Sequence, residues 1–190
     1  MAIQDAAKTR PQEGGASFSL GNRLTRALWI LTWTLLASWT PPQLLPWRRM
    51  LLRLFGANIA PTANVRGSAK IWLPSNLEMQ DYASLGPHAN CYNMAKVTLG
   101  RYVVVSQGAH LCAGSHRIDD ENFQLFAKPI AIGDRAWIAA ETFVGPGVTV
   151  GEGAVLGARG VAFENLKAWT VYIGNPAAEK RARKRQGTDR

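Results

Sequence analysis

Residues 132–161 read IGDRAW-IAAETF-VGPGVT-VGEGAV-LGARGV, five hexads that open on Ile132, Ile138, Val144, Val150 and Leu156. The second residue of each is Gly or Ala, and the fifth is Ala136, Thr142, Val148, Ala154 or Gly160. A helix repeats every 3.6 residues and a half-buried strand every 2.0, so neither explains a strict period of six. A triangular coil does. Three flat faces of six residues turn one aliphatic side chain each into a narrow prism, with small residues or Gly at the corners, and every turn adds its strands in parallel to the last.

The same register runs more loosely upstream. Ile59, Val65, Ile71 and Leu77 are spaced by six, as are Met79, Leu85, Cys91 and Val97, and again Leu99, Val105 and Leu111, with two-residue slips at Leu77/Met79 and Val97/Leu99. At 18 residues per turn, about three coils precede Ala113 and two follow Pro129. The expected fold class is an all-β solenoid over residues 59–176, interrupted by a loop at 114–128 that has no hexad register. Such a rod buries its core by stacking neighbours and needs caps. Residues 1–58, a polar leader followed by an apolar and amphipathic helical segment, and the basic tail 177–190 are the natural ones.

The 190 residues are 47% hydrophobic and 18% charged, which excludes a disordered chain and suffices for a core without disulfide or metal staples. The net charge of +9 is uneven. Residues 1–58 hold seven basic and two acidic groups, residues 177–190 hold six and two, and the stretch between holds nine of each. The excess therefore belongs to the ends. Nucleic acid is a poor partner for it, because no stacking aromatics stand among the basic residues of the tail. Cys91 and Cys112 form no CxxC pair, and three histidines supply no zinc-type ligand set, so both cysteines read as packing residues in a reducing compartment. Residues 1–19 are polar, without the pattern of a signal peptide.

From Ala27 to Trp47 no charge occurs, and Pro41, Pro42 and Pro46 end a helix near Thr40. This helix, from about Leu20 to Trp39, either packs on protein or lies at a membrane interface, with Trp29, Trp33 and Trp39 at headgroup depth and arginines on anionic lipid. A transmembrane span is the least favoured reading on length. A second amphipathic helix is expected over Trp47–Phe55, stopping at Gly56.

VTLGRYVVVSQGAHLCAGSH (97–116), PIAIGDRAWIAAETFVGPGVTVGEGAVLGARG (129–160) and GNPA (174–177) resemble the hexapeptide-repeat acyltransferases of the maltose, galactoside and nodulation O-acetyltransferase group. The colanic-acid-type acetyltransferases of exopolysaccharide operons are similar also over residues 47–57. The resemblance covers about 130 residues, Trp47 to Arg181. It implies a left-handed parallel β-helix, a homotrimer with active sites between subunits, acetyl-CoA as co-substrate with no metal required, and a saccharide acceptor. The cysteines and the polar first residues lead us to expect a cytoplasmic location, with peripheral contact at the inner face of the cell membrane if the N-terminal segment binds lipid.

The 114–128 loop contains His116, whose imidazole suits removal of a proton from a hydroxyl as it attacks a thioester. The motif GSH-x-x-D before the P-I-x-I-G re-entry matches the family's catalytic histidine, so the resemblance makes His116 the base. Asp119, Asp120, Glu121 or a backbone carbonyl would orient it. By the same resemblance Trp137, Ala140 and Ala158 line the donor site. Arg181 matches a residue that meets the CoA phosphates, helped by Lys180 and Arg183; a solvated tail is the competing reading. Asn90, Tyr92 and Asn93 match acceptor-side positions, although a corner Asn also makes turns. The chain departs from the family at Gly160–Asn165, where Ser-Val-Val-Thr-Lys-Asp is common, and at Ala178, where an arginine is usual. His88 and His110 read as structural. The alternative function is a non-catalytic scaffold of the same fold. A hexapeptide carbonic anhydrase is disfavoured because the spacing of His88, His110 and His116 does not match.

Overall fold

The computed structural model describes residues 3–185. The leader carries a short helix α1 (Ala6–Thr9), then come α2 (Leu20–Leu36) and α3 (Leu45–Leu54). Coil one contains β1 (Asn58–Ile59), β2 (Asn64–Val65) and β3 (Lys70–Ile71). Coil two has β4 (Leu77–Met79), β5 (Ser84–Leu85) and β6 (Asn90–Tyr92), and coil three has β7 (Val97–Leu99), β8 (Val104–Val105) and β9 (His110–Cys112). An antiparallel pair, β10 (Gly114–His116) and β11 (Leu125–Ala127), forms the projecting loop. Coil four is β12 (Ile130–Ile132), β13 (Trp137–Ile138) and β14 (Phe143–Val144), and coil five is β15 (Thr149–Val150), β16 (Val155–Leu156) and β17 (Val161–Ala162). A partial sixth turn ends in the hairpin β18 (Thr170–Ile173) and β19 (Ala178–Ala182).

The strands stack into three parallel faces: β1-β4-β7-β12-β15, β2-β5-β8-β13-β16-β18, and β3-β6-β9-β14-β17. Ile138, Val144, Val150 and Leu156 are fully buried along the prism axis, as are the small fifth-position residues Ala136, Thr142, Val148 and Ala154. Each buried aliphatic side chain contributes roughly 1.5–3 kcal/mol. The second-position glycines answer to the next coil: a Cβ on Gly151 would lie 2.5 Å from the Ala168 nitrogen.

Two expectations need correction. The left-handed corner residue is the fourth of each hexad, and it is often large: Arg135 (φ 58°), Glu141 (57°) and Arg159 (59°), with Tyr82, His88 and Tyr102 in the upstream coils. The parallel ladder on both sides holds these residues there. The pitch is also not uniformly 18. Ile59, Met79 and Leu99 are direct partners twenty residues apart, while Ile132 and Val150 are eighteen apart. The extra two residues widen the corner between the third and first faces, from Leu73 to Leu77 and from Asn93 to Val97, and the 114–128 loop leaves from this same corner in coil three.

The N-terminal segment closes the first coil, whose edge would otherwise present unpaired carbonyls. Trp29 Nε1 donates to the Ile71 carbonyl at 2.7 Å and Trp33 Nε1 to that of Gly67 at 3.0 Å. Arg48 Nε donates to Val65 O at 2.8 Å, Arg49 to Ala63 O at 3.1 Å and Arg53 to Ile59 O. Trp29, Trp33 and Arg48 are buried, so for these side chains packing on protein holds and placement on lipid does not. Trp39, the third tryptophan of that segment, is exposed. The opposite side of α2 keeps Leu20, Leu24, Leu28, Leu31 and Leu35 in the open. No helix among the described residues is long and apolar enough to cross a membrane. In the basic tail, Arg183 donates to the carbonyls of Arg135 and Gly153, and Arg185 stacks on Trp169; residues 186–190 lie outside the described residues.

Candidate active site

His116 ends β10, opposite Leu125 of β11. Its Nδ1 lies 2.8 Å from the carbonyl oxygen of Phe123, and its ring stacks on that of Phe123 at 4.3 Å and 12°. Phe123 adopts a left-handed backbone (φ 51°), which turns the tip of the loop back over the imidazole. Of the four orienting groups considered, the carbonyl is the one in contact. A carbonyl only accepts, so Nδ1 carries the proton of the neutral ring and Nε2 keeps a free lone pair.

His116 lines a small cleft of about 170 Å³ that the leader helps to build, through Gln4, Pro11, Gln12 and Ser17. Gln124 ties leader to loop: its Oε1 accepts from Ala6 N–H at 2.7 Å, and its Nε2 donates to Gln4 O at 3.2 Å. Ala6 is buried by this contact. Nothing in the sequence marks this pairing of residues some 120 apart.

Asn90 and Tyr92 lie together on the third face, lining a groove of about 380 Å³ between the coil and α2 with Trp29, Trp33 and Trp72. Trp72 and Tyr92 meet edge to face at 5.7 Å, and burial pushes the Tyr92 hydroxyl above its ordinary pKa. His110 continues the stripe, 5.3 Å from Phe143, and burial lowers its pKa. Asn93 is the exception. Its side chain is fully buried, with Oδ1 accepting from Leu73 N–H at 3.0 Å and Nδ2 donating to Leu73 O at 2.7 Å. It clamps the widened corner and does not reach an acceptor, which corrects the expectation for it.

Trp137 stands half-exposed on the second face, its Nε1 donating to Ser106 Oγ at 2.9 Å, in a cleft of about 730 Å³. Tyr102, Arg135 and Arg183 complete the walls. Ala140 and Ala158 occupy successive corners beyond Trp137, and the Ala140 carbonyl accepts from Arg159 N–H at 2.9 Å. Arg181 is exposed on β19 outside this lining, while Arg183 and Arg135 supply its positive charge. Within one chain His116, the Asn90–Tyr92 groove and Trp137 thus occupy three separate cavities. His88, His110 and His116 form no metal-holding group among the described residues.

A three-faced parallel coil with a projecting histidine loop and a helical cap is the left-handed β-helix of hexapeptide-repeat proteins. It departs from the right-handed crossover usual in parallel sheets. No protein-family model matches the chain. It is 42% identical over 87% of its length to the protein named "Putative colanic acid biosynthesis acetyltransferase WcaF" of Escherichia coli K12, covering 91% of that protein. The chain belongs to the hexapeptide-repeat acetyltransferase family. The hexapeptide-repeat acetyltransferase of Vibrio cholerae shares the fold with a TM-score of 0.78 at 22% identity, over 88% of this chain and 95% of that one. That protein has also been solved with acetyl coenzyme A (TM-score 0.72, 19% identity, 96% and 100% covered). The maltose O-acetyltransferase of Clostridium difficile superposes with a TM-score of 0.75 at 20% identity, over 97% and 100% of the two chains.

Proposed function

We propose that the protein is an acetyl-CoA-dependent O-acetyltransferase that acetylates a saccharide hydroxyl in exopolysaccharide or lipid-linked glycan synthesis. The observation that carries this reading is the 2.8 Å contact between His116 Nδ1 and the Phe123 carbonyl, which leaves Nε2 free to take a proton. The acceptor hydroxyl gives its proton to Nε2 as its oxygen attacks the thioester carbonyl. The tetrahedral intermediate then expels the CoA sulfur, which recovers that proton from the imidazolium. Thiolate is a good leaving group, so transfer is direct and needs no acyl-enzyme.

In this reading Trp137 flanks the pantetheine arm, and Ala140 and Ala158 let it lie against the corner backbone. Arg183 and Arg135, with Arg181 and Lys180 close by in sequence, meet the CoA phosphates. Asn90 and Tyr92 donate and accept at saccharide hydroxyls. The separation of His116 from Trp137 in one chain supports a homotrimer in which the donor cleft of one copy faces the histidine loop of the next. The exposed leucine stripe on α2 supports peripheral contact with the inner face of the cell membrane, where lipid-linked glycans are found.

Purified protein incubated with acetyl-CoA and, in turn, free oligosaccharides, nucleotide sugars and lipid-linked glycans should release free thiol and form an acetyl ester with one class. Absence of thiol release with every hydroxyl acceptor would overturn the proposal in favour of a scaffold.

A further inference from the structure

Four arginines of the N-terminal segment face the coil, and three have one task. Arg48, Arg49 and Arg53 donate to backbone carbonyls of the first turn. Arg26 does not. It lies one turn before Trp29 on α2, so it points to the third face above Trp72. Its guanidinium carbon sits 4.5 Å from the Trp72 ring centroid and 5.2 Å from that of Phe18. Nε donates to Asn22 Oδ1 at 3.0 Å. Among the described residues the two terminal nitrogens have no hydrogen-bond partner, and no carboxylate lies within ion-pair distance.

A guanidinium packed over two rings that touch each other, Phe18 and Trp72 at 5.2 Å, and tied through Nε to Asn22 presents a fork with little rotamer freedom left to lose. Burial lowers its pKa, yet an arginine remains charged throughout the physiological range. A partly desolvated cation without a counterion is a costly arrangement that an anion relieves.

Its position ties it to both acceptor-side cavities. Trp72 lines the groove with Asn90 and Tyr92. Phe18 follows Ser17, which lines the cleft that contains His116. Arg26 thus rests on one wall residue of the groove, Trp72, and on the sequence neighbour of one wall residue of the cleft.

We infer that the saccharide acceptor carries an anionic group, a carboxylate or a phosphate, which is bound by the Arg26 fork. This rests on the acetyl-transfer reading above and narrows its substrate class. Both anions offer paired oxygens suited to two parallel N–H donors.

The test compares matched acceptors: a neutral oligosaccharide, the same oligosaccharide bearing a uronate, and a sugar phosphate. Wild-type kcat/KM should favour one anionic acceptor over the neutral one, and Arg26→Gln should reduce that preference on the order of 10- to 100-fold, the loss expected for a hydrogen-bonded charge. Arg26→Lys, which keeps the charge without the fork, should retain part of it. Whichever anionic arm responds identifies the group as carboxylate or phosphate. Equal effects of Arg26→Gln on neutral and anionic acceptors would reduce Arg26 to a packing residue and overturn the inference.

Binding separates this from failure of the enzymatic reading. Titration of a uronate oligosaccharide or a sugar phosphate should change tryptophan fluorescence of the wild type through Trp72, and Arg26→Gln should abolish the change. If neither anionic probe binds the wild type, the inference falls even where neutral saccharides are acetylated. If an anion binds through Arg26 but no acceptor releases thiol, the acetyl-transfer reading falls and the anion site stands.

Discussion

His116 and Phe123 are joined twice: the imidazole Nδ1 is 2.8 Å from the Phe123 carbonyl oxygen, and the two rings stack 4.3 Å apart. The carbonyl sets the tautomer and the ring sets the tilt. Replacing each partner separates the two effects. His116→Ala should keep the fold and lose about 10²- to 10⁴-fold in acetyl transfer, the usual contribution of a general base. Phe123→Gly keeps both the carbonyl and the left-handed backbone but removes the ring. A lost aromatic pair is worth about 0.5–1.5 kcal/mol, so activity should fall only about two- to thirteenfold. Steady-state thiol release checks both, and a Phe123→Gly enzyme as inactive as His116→Ala would show that the ring, not the carbonyl, holds the base.

The coil was legible because its packing is periodic. Ile132 to Leu156 sit on one axis, and only a sixfold repeat keeps them there. The slips at Leu77/Met79 and Val97/Leu99 were visible as well, and they are the widened corners that Asn93 clamps. The caps were harder to read. Arg48, Arg49 and Arg53 act on backbone carbonyls, and every residue type carries a carbonyl, so no spacing announces the contact. Arginines beside an apolar run look the same whether they face lipid or an open strand edge. His116 was singled out by its motif and its loop, whereas the leader that walls its cleft has no period. Arg183, one residue past the end of β19, lines the cleft of Trp137 and Arg181 within the strand does not; a regular strand would turn both to the same side, and no residue pattern marks where the hairpin strand ends.

His88 occupies a left-handed corner at φ 56° with its side chain exposed, so glycine should suit the site better. The left-handed conformation costs a non-glycine residue about 1–2 kcal/mol, against about 0.5–1 kcal/mol for the extra chain entropy of glycine. His88→Gly should therefore raise stability by about 0.5–1 kcal/mol, a gain of roughly 1–4 °C in Tm for a chain of this size. Acetyl transfer should not change, since His88 lines none of the three cavities. A lower Tm would mean that the exposed imidazole contributes more than the corner costs.

Cys91 points into the prism, and burial pushes its thiol up to about 12. The folded protein thus holds the proton more tightly than the unfolded chain. The sign follows from linkage: this contribution to stability is fully present below about pH 9 and is lost as pH rises towards 12. Cys91→Ala should flatten the fall of Tm over that range while lowering stability at neutral pH by the cost of the cavity. In native protein at pH 8, alkylation should leave Cys91 untouched, and any slow labelling should fall on half-buried Cys112. Modification of Cys91 without denaturant, detected by mass spectrometry, would contradict this burial.

Gln124 holds the leader against the histidine loop through both ends of its amide, and a third bond from Nε2 to Leu125 O at 2.8 Å fixes its rotamer. Gln124→Ala leaves the buried Ala6 N–H without a partner, a penalty of about 1–3 kcal/mol. The effect should be local, because among the described residues the leader contributes nothing to the buried core cluster of the coil and meets it through the contact of Phe18 with Trp72. Hydrogen exchange at Ala6 should accelerate on the order of tenfold to a hundredfold, while exchange along β12 to β16 stays as in the wild type. Since Gln4 and Ser17 line the cleft of His116, KM for the acceptor should rise more than kcat falls. Gln124→Glu keeps the oxygen that accepts from Ala6 but loses the donor to Gln4, so it should fall between the two. Unchanged exchange at Ala6 in Gln124→Ala would assign the docking of the leader to Phe18 and Trp72 instead.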